Sequence, residues 1–212
     1  MNKLEIIDRL LNPGIIAIIR ADRPDRLLKA AEALCAGGVP TMEISMTTPG
    51  ALEAIAEVAR TLGPPIVIGV GTVLDPETAR AALLAGAQFV VTPVFRPEVI
   101  SLCHRYGVPV FSGAYTPTEA LVAHECGADF IKLFPADQLG PGYVKNLLAP
   151  MPQLRIVPTG GVTRENAAAY FAAGCAALGV GSCLVNAAVL EQEDWAGLRA
   201  RAADLVAAVS RG

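Results

Sequence analysis

The chain has 212 residues, of which 53% are hydrophobic and only 17% charged; so much apolar surface collapses in water, which excludes disorder. Its 17 basic and 20 acidic residues leave a net charge of −3, which provides no electrostatic footprint for nucleic acid or an anionic membrane. The five cysteines form no Cys-x-x-Cys pair and lack metal-site spacing to His104 or His124, so they read as reduced thiols in a cytoplasmic protein with no metal and no signal peptide.

Met1–Leu11 reads as a helix. Short β-branched runs follow at Ile15–Arg20, Thr41–Met46, Ile66–Gly71, Phe89–Val94, Val108–Gly113, Phe130–Pro135, Arg155–Gly160 and Ala177–Ser182. Between them lie stretches of helical period, such as Asp25–Ala36, with Leu27, Leu28, Ala31, Leu34 and Cys35 on one face, and Glu77–Ala85. Helices open on Asp75-Pro76-Glu77, Thr116-Pro117-Thr118-Glu119 and Thr163-Arg164-Glu165-Asn166, which supply cap side chains and a proline suited to the first turn. They close on Gly37-Gly38, Gly86, Gly127 and Gly174, where glycine permits a left-handed turn. His104 and His124 fall on the outer ring of helices. Asn166–Leu190 carries no charge, yet Asn166, Gly174, Gly179, Gly181, Ser182 and Asn186 interrupt it, so it reads as a buried helix–strand pair and not a membrane span. Trp195, Arg199 and Arg201 belong to a last amphipathic helix.

Eight strand–helix units without a linker predict a single α/β domain over residues 1–212. The expected fold is a (β/α)8 TIM barrel with the N-terminal helix closing its bottom. A doubly wound sheet is the alternative, but eight parallel strands in so small a domain close more naturally than they stay open.

Barrel strands are apolar on both faces, so ionisable side chains within them are the informative positions. Arg20 ends the first strand, Glu43 lies in the second and Lys132 in the sixth. Alternation puts Thr41, Glu43 and Ser45 on one face and Met42, Ile44 and Met46 on the other; in the sixth strand it sends Phe130, Lys132 and Phe134 toward the axis. Glu43 and Lys132 therefore both point inward. They either form an ion pair that only fills the core, which seldom adds stability over apolar packing, or place a nucleophilic amine at a site, since burial disfavours the charged form and neutral amines attack carbonyls.

Thr159-Gly160-Gly161 and Gly179-Val180-Gly181-Ser182 follow the last two strands, where barrels of this kind commonly bind phosphate. Each could be an ordinary glycine turn; occurring together, they favour an anion site. Gly69-Val70-Gly71-Thr72 lacks the third glycine of a dinucleotide fingerprint. Thr72 is either an active-site hydroxyl or the cap of the turn that follows.

The blocks Thr41-Met-Glu-Ile-Ser, Gly69-Val-Gly-Thr-Val-Leu, Val91-Thr-Pro, Phe130-Ile-Lys-Leu-Phe-Pro-Ala, Pro158-Thr-Gly-Gly-Val and Gly179-Val-Gly-Ser resemble the 2-keto-3-deoxy-6-phosphogluconate (KDPG) aldolase family, which includes the aldolases for the galactonate epimer and for 4-hydroxy-2-oxoglutarate. The resemblance runs from about residue 4 to 210. It implies a class I aldolase, a homotrimeric barrel that splits a phosphorylated 2-keto-3-deoxy sugar acid into pyruvate and glyceraldehyde 3-phosphate with no cofactor beyond a lysine Schiff base. By position, Lys132 is then the Schiff-base lysine and Glu43 the proton-transfer residue. Arg20, Thr72, Pro93, Phe134 and Thr159 bind substrate, and Gly160, Gly161, Gly181 and Ser182 hold the phosphate. Some members carry an arginine four residues after the glutamate as a carboxylate ligand. Thr47 stands there in this chain, and Arg20 is the candidate to replace it. Tyr115, large at the end of the fifth strand, is a candidate to shape the aldehyde pocket. A phosphate-binding barrel of another chemistry, such as a thiamin-phosphate-synthase-like or isomerase-like protein, would share the glycine loops without needing Lys132. A sugar-phosphate-binding barrel without turnover is the non-enzymatic alternative.

Overall fold

A computed structural model describes residues 1–21 and 23–209. It contains α1 (Lys3–Leu11), β1 (Ile15–Ile19), α2 (Leu27–Ala36), β2 (Thr41–Ser45), α3 (Ala51–Leu62), β3 (Val67–Gly71), α4 (Pro76–Leu84), β4 (Val90–Val91) and α5 (Pro97–Arg105). The second half contributes β5 (Val110–Ala114), α6 (Pro117–Glu125), β6 (Phe130–Leu133), α7 (Gly140–Leu148), β7 (Ile156–Pro158), α8 (Arg164–Ala172), β8 (Leu178–Val180), α9 (Ala187–Glu191) and α10 (Trp195–Val209). The eight strands are parallel in the order β7-β6-β5-β4-β3-β2-β1-β8. A single bridge, Thr159 to Gly179, joins β7 to β8 and brings the ends of the sheet together. This is the predicted (β/α)8 barrel.

Every strand residue is buried, because helices cover the outer face and side chains fill the interior. Ile15, Ile19, Met42, Ile44, Ile68 and Val70 belong to the shell between strands and helices. Ile16, Val67, Phe89, Val91, Phe111, Phe130 and Val157 form a second cluster around the axis, sealed by Ile6, Ile7 and Leu10 of α1. Phe111 stacks on Phe130 with ring centroids 4.3 Å apart. The Lys3 ammonium lies 2.8 Å from Asp129, the Arg9 guanidinium donates to the Pro65 carbonyl at 2.7 Å, and together they tie α1 across the bottom.

Local signals act as the sequence predicts at most boundaries. Asp75 accepts the Thr78 N–H at 2.6 Å, and Thr116 and Glu119 make a reciprocal capping box at the start of α6. Gly86, Gly127 and Gly174 have φ of 106°, 93° and 99°, and at the end of α2 it is Gly38, with φ 88°, that makes the left-handed turn. The fourth strand is shorter than predicted. Ladder pairing spans only Val90–Val91, and the Thr92 hydroxyl then donates to the Val94 carbonyl at 2.7 Å, turning the chain at Pro93, which has no N–H to offer a ladder.

All five cysteines are unpaired, and burial pushes the thiols of Cys103 and Cys175 up to about 12. No helix among the described residues is long and apolar enough to cross a membrane.

Candidate active site

Above the phenylalanine layer, the barrel interior changes character. Glu43 on β2 and Lys132 on β6 enter from opposite walls, 3% and 4% exposed. Lys132 Nζ lies 3.7 Å from Glu43 Oε1, too far for a direct hydrogen bond, and 5.3 Å from the centroid of the Phe134 ring.

The neighbours of this pair are small. Glu43 stands beside Gly69 on β3, and Lys132 beside Gly113 on β5. A Cβ on Gly71 would sit 2.5 Å from Glu43 Oε1 and 2.8 Å from its Cδ. One on Gly69 would enter the Phe89 ring, one on Gly113 the Pro93 backbone, and one on Gly179 the Thr159 hydroxyl. Glycines therefore carve the chamber, and at Gly71 the missing side chain makes room for the carboxylate. Alternation in the sequence reveals which residues face inward but says nothing of how closely they approach, so this glycine lining escapes a reading of single strands.

A cavity of about 550 Å³ opens between the ends of β6, β7, β8 and β1, lined by Ile18, Arg20, Phe134, Thr159, the two glycine loops and Asn186. Of the residues predicted for the site, Arg20, Phe134, Thr159, Gly160, Gly161, Gly181 and Ser182 meet here. Lys132 lies two residues before Phe134 on β6, beneath this cavity. Thr72 and Pro93 are not on its wall; they end β3 and β4 on the far side of the mouth. Tyr115 is also absent from it: the residue is 42% exposed, its N–H donates to Glu119, and its carbonyl accepts from the Tyr143 hydroxyl.

Gly160 and Gly161 are consecutive left-handed residues with φ of 91° and 71°, a conformation that a Cβ disfavours. The Asn166 side chain fixes the loop, accepting the Thr163 N–H and donating to the Gly161 carbonyl, both at 2.8 Å. The loop runs directly into α8, whose N-terminal N–H groups present the positive end of the helix.

A hydroxyl chain not anticipated from sequence spans the tops of β2 and β3. Ser45 Oγ lies 2.8 Å from Thr47 Oγ1 and 2.8 Å from Thr72 Oγ1. Thr72 is one of two non-glycine residues among those described with positive φ, at 61°. Thr47, together with Arg20, Arg23 and Arg26, lines a second cavity of about 420 Å³. Among the described residues, no group of three or more His, Cys, Asp or Glu side chains could hold a metal ion.

A barrel with an amine and a carboxylate walled in beneath its C-terminal mouth, next to a glycine-lined cavity, has the layout of a lyase acting on a carbonyl compound. The family model described as KDPG and KHG aldolase matches residues 6–200, and the chain belongs to that family. It is 40% identical over 174 residues to the 2-dehydro-3-deoxy-6-phosphogalactonate aldolase of Escherichia coli K12, covering 82% of this chain and 85% of the relative. A solved structure described as native KDPGal is 37% identical, with a TM-score of 0.86 over 93% of this chain and 94% of the other. The KDPG aldolase of Legionella pneumophila, solved with pyruvate captured as a covalent carbinolamine, is 27% identical, with a TM-score of 0.83 over 91% and 93% of the two chains.

Proposed function

We propose that this protein is a class I aldolase that cleaves 2-keto-3-deoxy-6-phosphogluconate or its galactonate epimer to pyruvate and glyceraldehyde 3-phosphate through a Schiff base on Lys132. The observation that carries this reading is the isolation of Lys132 with Glu43 in a chamber roofed by Phe134. The covalent pyruvate of the Legionella relative supports it.

In this mechanism the Lys132 amine adds to the C2 ketone, and the carbinolamine loses water to give an iminium. The C3–C4 bond then breaks, its electron pair moving into the C2–C3 enamine as the C4 hydroxyl loses its proton and becomes the aldehyde. Glu43 takes that proton through a water molecule, and its carboxylate, 3.7 Å from the Lys132 amine, is also the near proton acceptor during imine formation. Protonation at C3 and hydrolysis of the imine release pyruvate and restore the amine. Thr72, Pro93, Phe134 and Thr159 bound the pyruvate end. Gly160, Gly161, Gly181 and Ser182 take the phosphate, whose binding energy is remote from the breaking bond and orients it. Arg20 spans both cavities and is placed to meet an anionic end of the substrate. The iminium supplies the electron sink, so the reaction as proposed needs no cofactor. We also infer a homotrimer, which sedimentation would test.

The test of the chemistry is intact-protein mass spectrometry after incubation with pyruvate and borohydride, followed by peptide mapping. A pyruvate-sized adduct on Lys132 is the expected result; folded protein without one overturns the reading. Comparing cleavage of the gluconate substrate and its galactonate epimer then assigns the C4 preference, and comparing both with 4-hydroxy-2-oxoglutarate assigns the natural aldehyde.

A further inference from the structure

Ser45 is fully buried at the inward end of β2, two residues beyond Glu43 and paired laterally with Gly71. Gly71 abuts the Glu43 carboxylate, and the next residue is Thr72. Thus the hydroxyl chain Thr47–Ser45–Thr72 lies at the next position above Glu43 on the same face of β2.

A serine hydroxyl has one proton to give and two lone pairs. The Thr47 N–H donates to Ser45 Oγ at 3.4 Å, which takes one of those lone pairs. The single Ser45 proton then goes to Thr47 or to Thr72, and the remaining hydroxyl donates to Ser45. If Ser45 donates to Thr72, the Thr72 proton is free for a ligand; if Thr72 donates to Ser45, it is consumed. An anion at the mouth selects the first arrangement, because every dipole in the chain then points toward it and each bond strengthens the next. Thr47 is exposed, so water satisfies the outer end. Thr72 is held at φ 61°, a conformation that threonine adopts only when its surroundings impose it.

We propose that Ser45 is a positioning residue for the reaction: it fixes the proton order of the Thr47–Ser45–Thr72 chain so that Thr72 Oγ1 donates to the carboxylate of the bound 2-oxo acid. This rests on the aldolase reading above. The role is one of ground-state and transition-state binding alike, so it belongs in KM and not in kcat.

The experiment measures cleavage kinetics and the pyruvate concentration that half-saturates borohydride trapping on Lys132, in wild type, Ser45→Ala, Ser45→Thr, Thr72→Val and the double variant Ser45→Ala/Thr72→Val. Ser45→Ala is expected to raise KM and half-saturating pyruvate about tenfold, ~1.4 kcal/mol, with kcat within about threefold of wild type. Ser45→Thr keeps the hydroxyl, so it is expected to restore both values. The double variant is expected to bind pyruvate no more weakly than Thr72→Val alone, because the two residues act through one hydrogen bond. Unchanged or improved pyruvate binding in Ser45→Ala, or additive losses in the double variant, overturns the positioning role. Should Ser45→Ala fail to fold, Ser45→Cys, which keeps the size but replaces the hydroxyl by a thiol that is only a weak donor and acceptor, carries the same comparison, and an unchanged KM there overturns the proposal. Absence of an adduct in the wild type overturns the aldolase reading itself, whereas a wild-type adduct with an indifferent Ser45 removes only this inference.

Discussion

Lys132 and Glu43 illustrate how a buried pair can cost stability and be kept for chemistry. At 3.7 Å, without a direct hydrogen bond, the pair regains only part of what its desolvation costs. Removing one partner is worse, since the other is left buried without a counter-charge. Lys132→Met is therefore expected to abolish the pyruvate adduct and turnover and to lower stability by about 3–5 kcal/mol. Lys132→Met/Glu43→Gln should recover most of that loss, with calorimetry and trapping as the readouts. Glu43→Gln alone should still form the adduct with pyruvate while turnover falls. Gly71→Ala tests the space around Glu43. Its Cβ would meet Oε1 at 2.5 Å, so the carboxylate must move, and a loss in kcat of about 100-fold or more is expected from a displacement near 1 Å; turnover close to wild type would show that Glu43 tolerates the shift. Lys132 and Glu43 are legible in the chain because charge inside a two-sided apolar strand has no ordinary reason to be there. Ser45 carries no such flag, since a small hydroxyl on an inner face is commonplace, and its part in a chain depends on a distance to Thr72 that no spacing encodes. Nor does the sequence show that Glu119 and Tyr143 hold the backbone of Tyr115 or that Tyr115 lies outside the cavity.

Among the elements, helix starts carry acid-sensitive stability. Backbone N–H groups of Tyr115 and Thr116, then the Thr116 hydroxyl, hold the Glu119 carboxyl below its ordinary value of 4.5. The Thr78 N–H, then its hydroxyl, hold Asp75 below 3.8. A carboxylate whose folded value is depressed contributes stability that is fully present above its unfolded value and is lost as pH falls through the folded one. Stability should thus be level above about pH 5 and decline on acidification through the ordinary carboxylate range and below it. In Asp75→Asn and Glu119→Gln that acid limb should flatten, as thermal melts between pH 3 and 7 would register; parallel wild-type and variant profiles would place the acid sensitivity elsewhere. Thr116→Ala, which removes one half of the box, should cost about 1 kcal/mol at neutral pH. These caps are legible because they depend on contacts three residues apart. The ends of β4 are not, because where a ladder stops depends on a neighbouring strand and on the turn that the Thr92 hydroxyl makes.

Across the whole molecule, the barrel divides its work along the axis. At the bottom, Ile6, Ile7 and Leu10 seal a dry aromatic layer with Phe89, Phe111 and Phe130; at the top, glycines open the chamber around Glu43 and Lys132. The phenylalanine layer separates the two, so damage below it should reach stability before it reaches chemistry. Leu10 is completely buried on the helix that packs against the bottom cluster of the barrel, and Leu10→Ala removes its packing at a cost of about 2–5 kcal/mol. For a chain of this size that is a fall in melting temperature of roughly 4–20 °C. Well below the new midpoint, KM, kcat and the extent of pyruvate trapping on Lys132 should match wild type within about twofold, because packing beneath a rigid layer is not shared with the site above it. A variant that melts early and also binds pyruvate weakly would mean that the aromatic layer transmits strain to the chamber. In that case α1 would belong to the active-site architecture and not only to the seal beneath it.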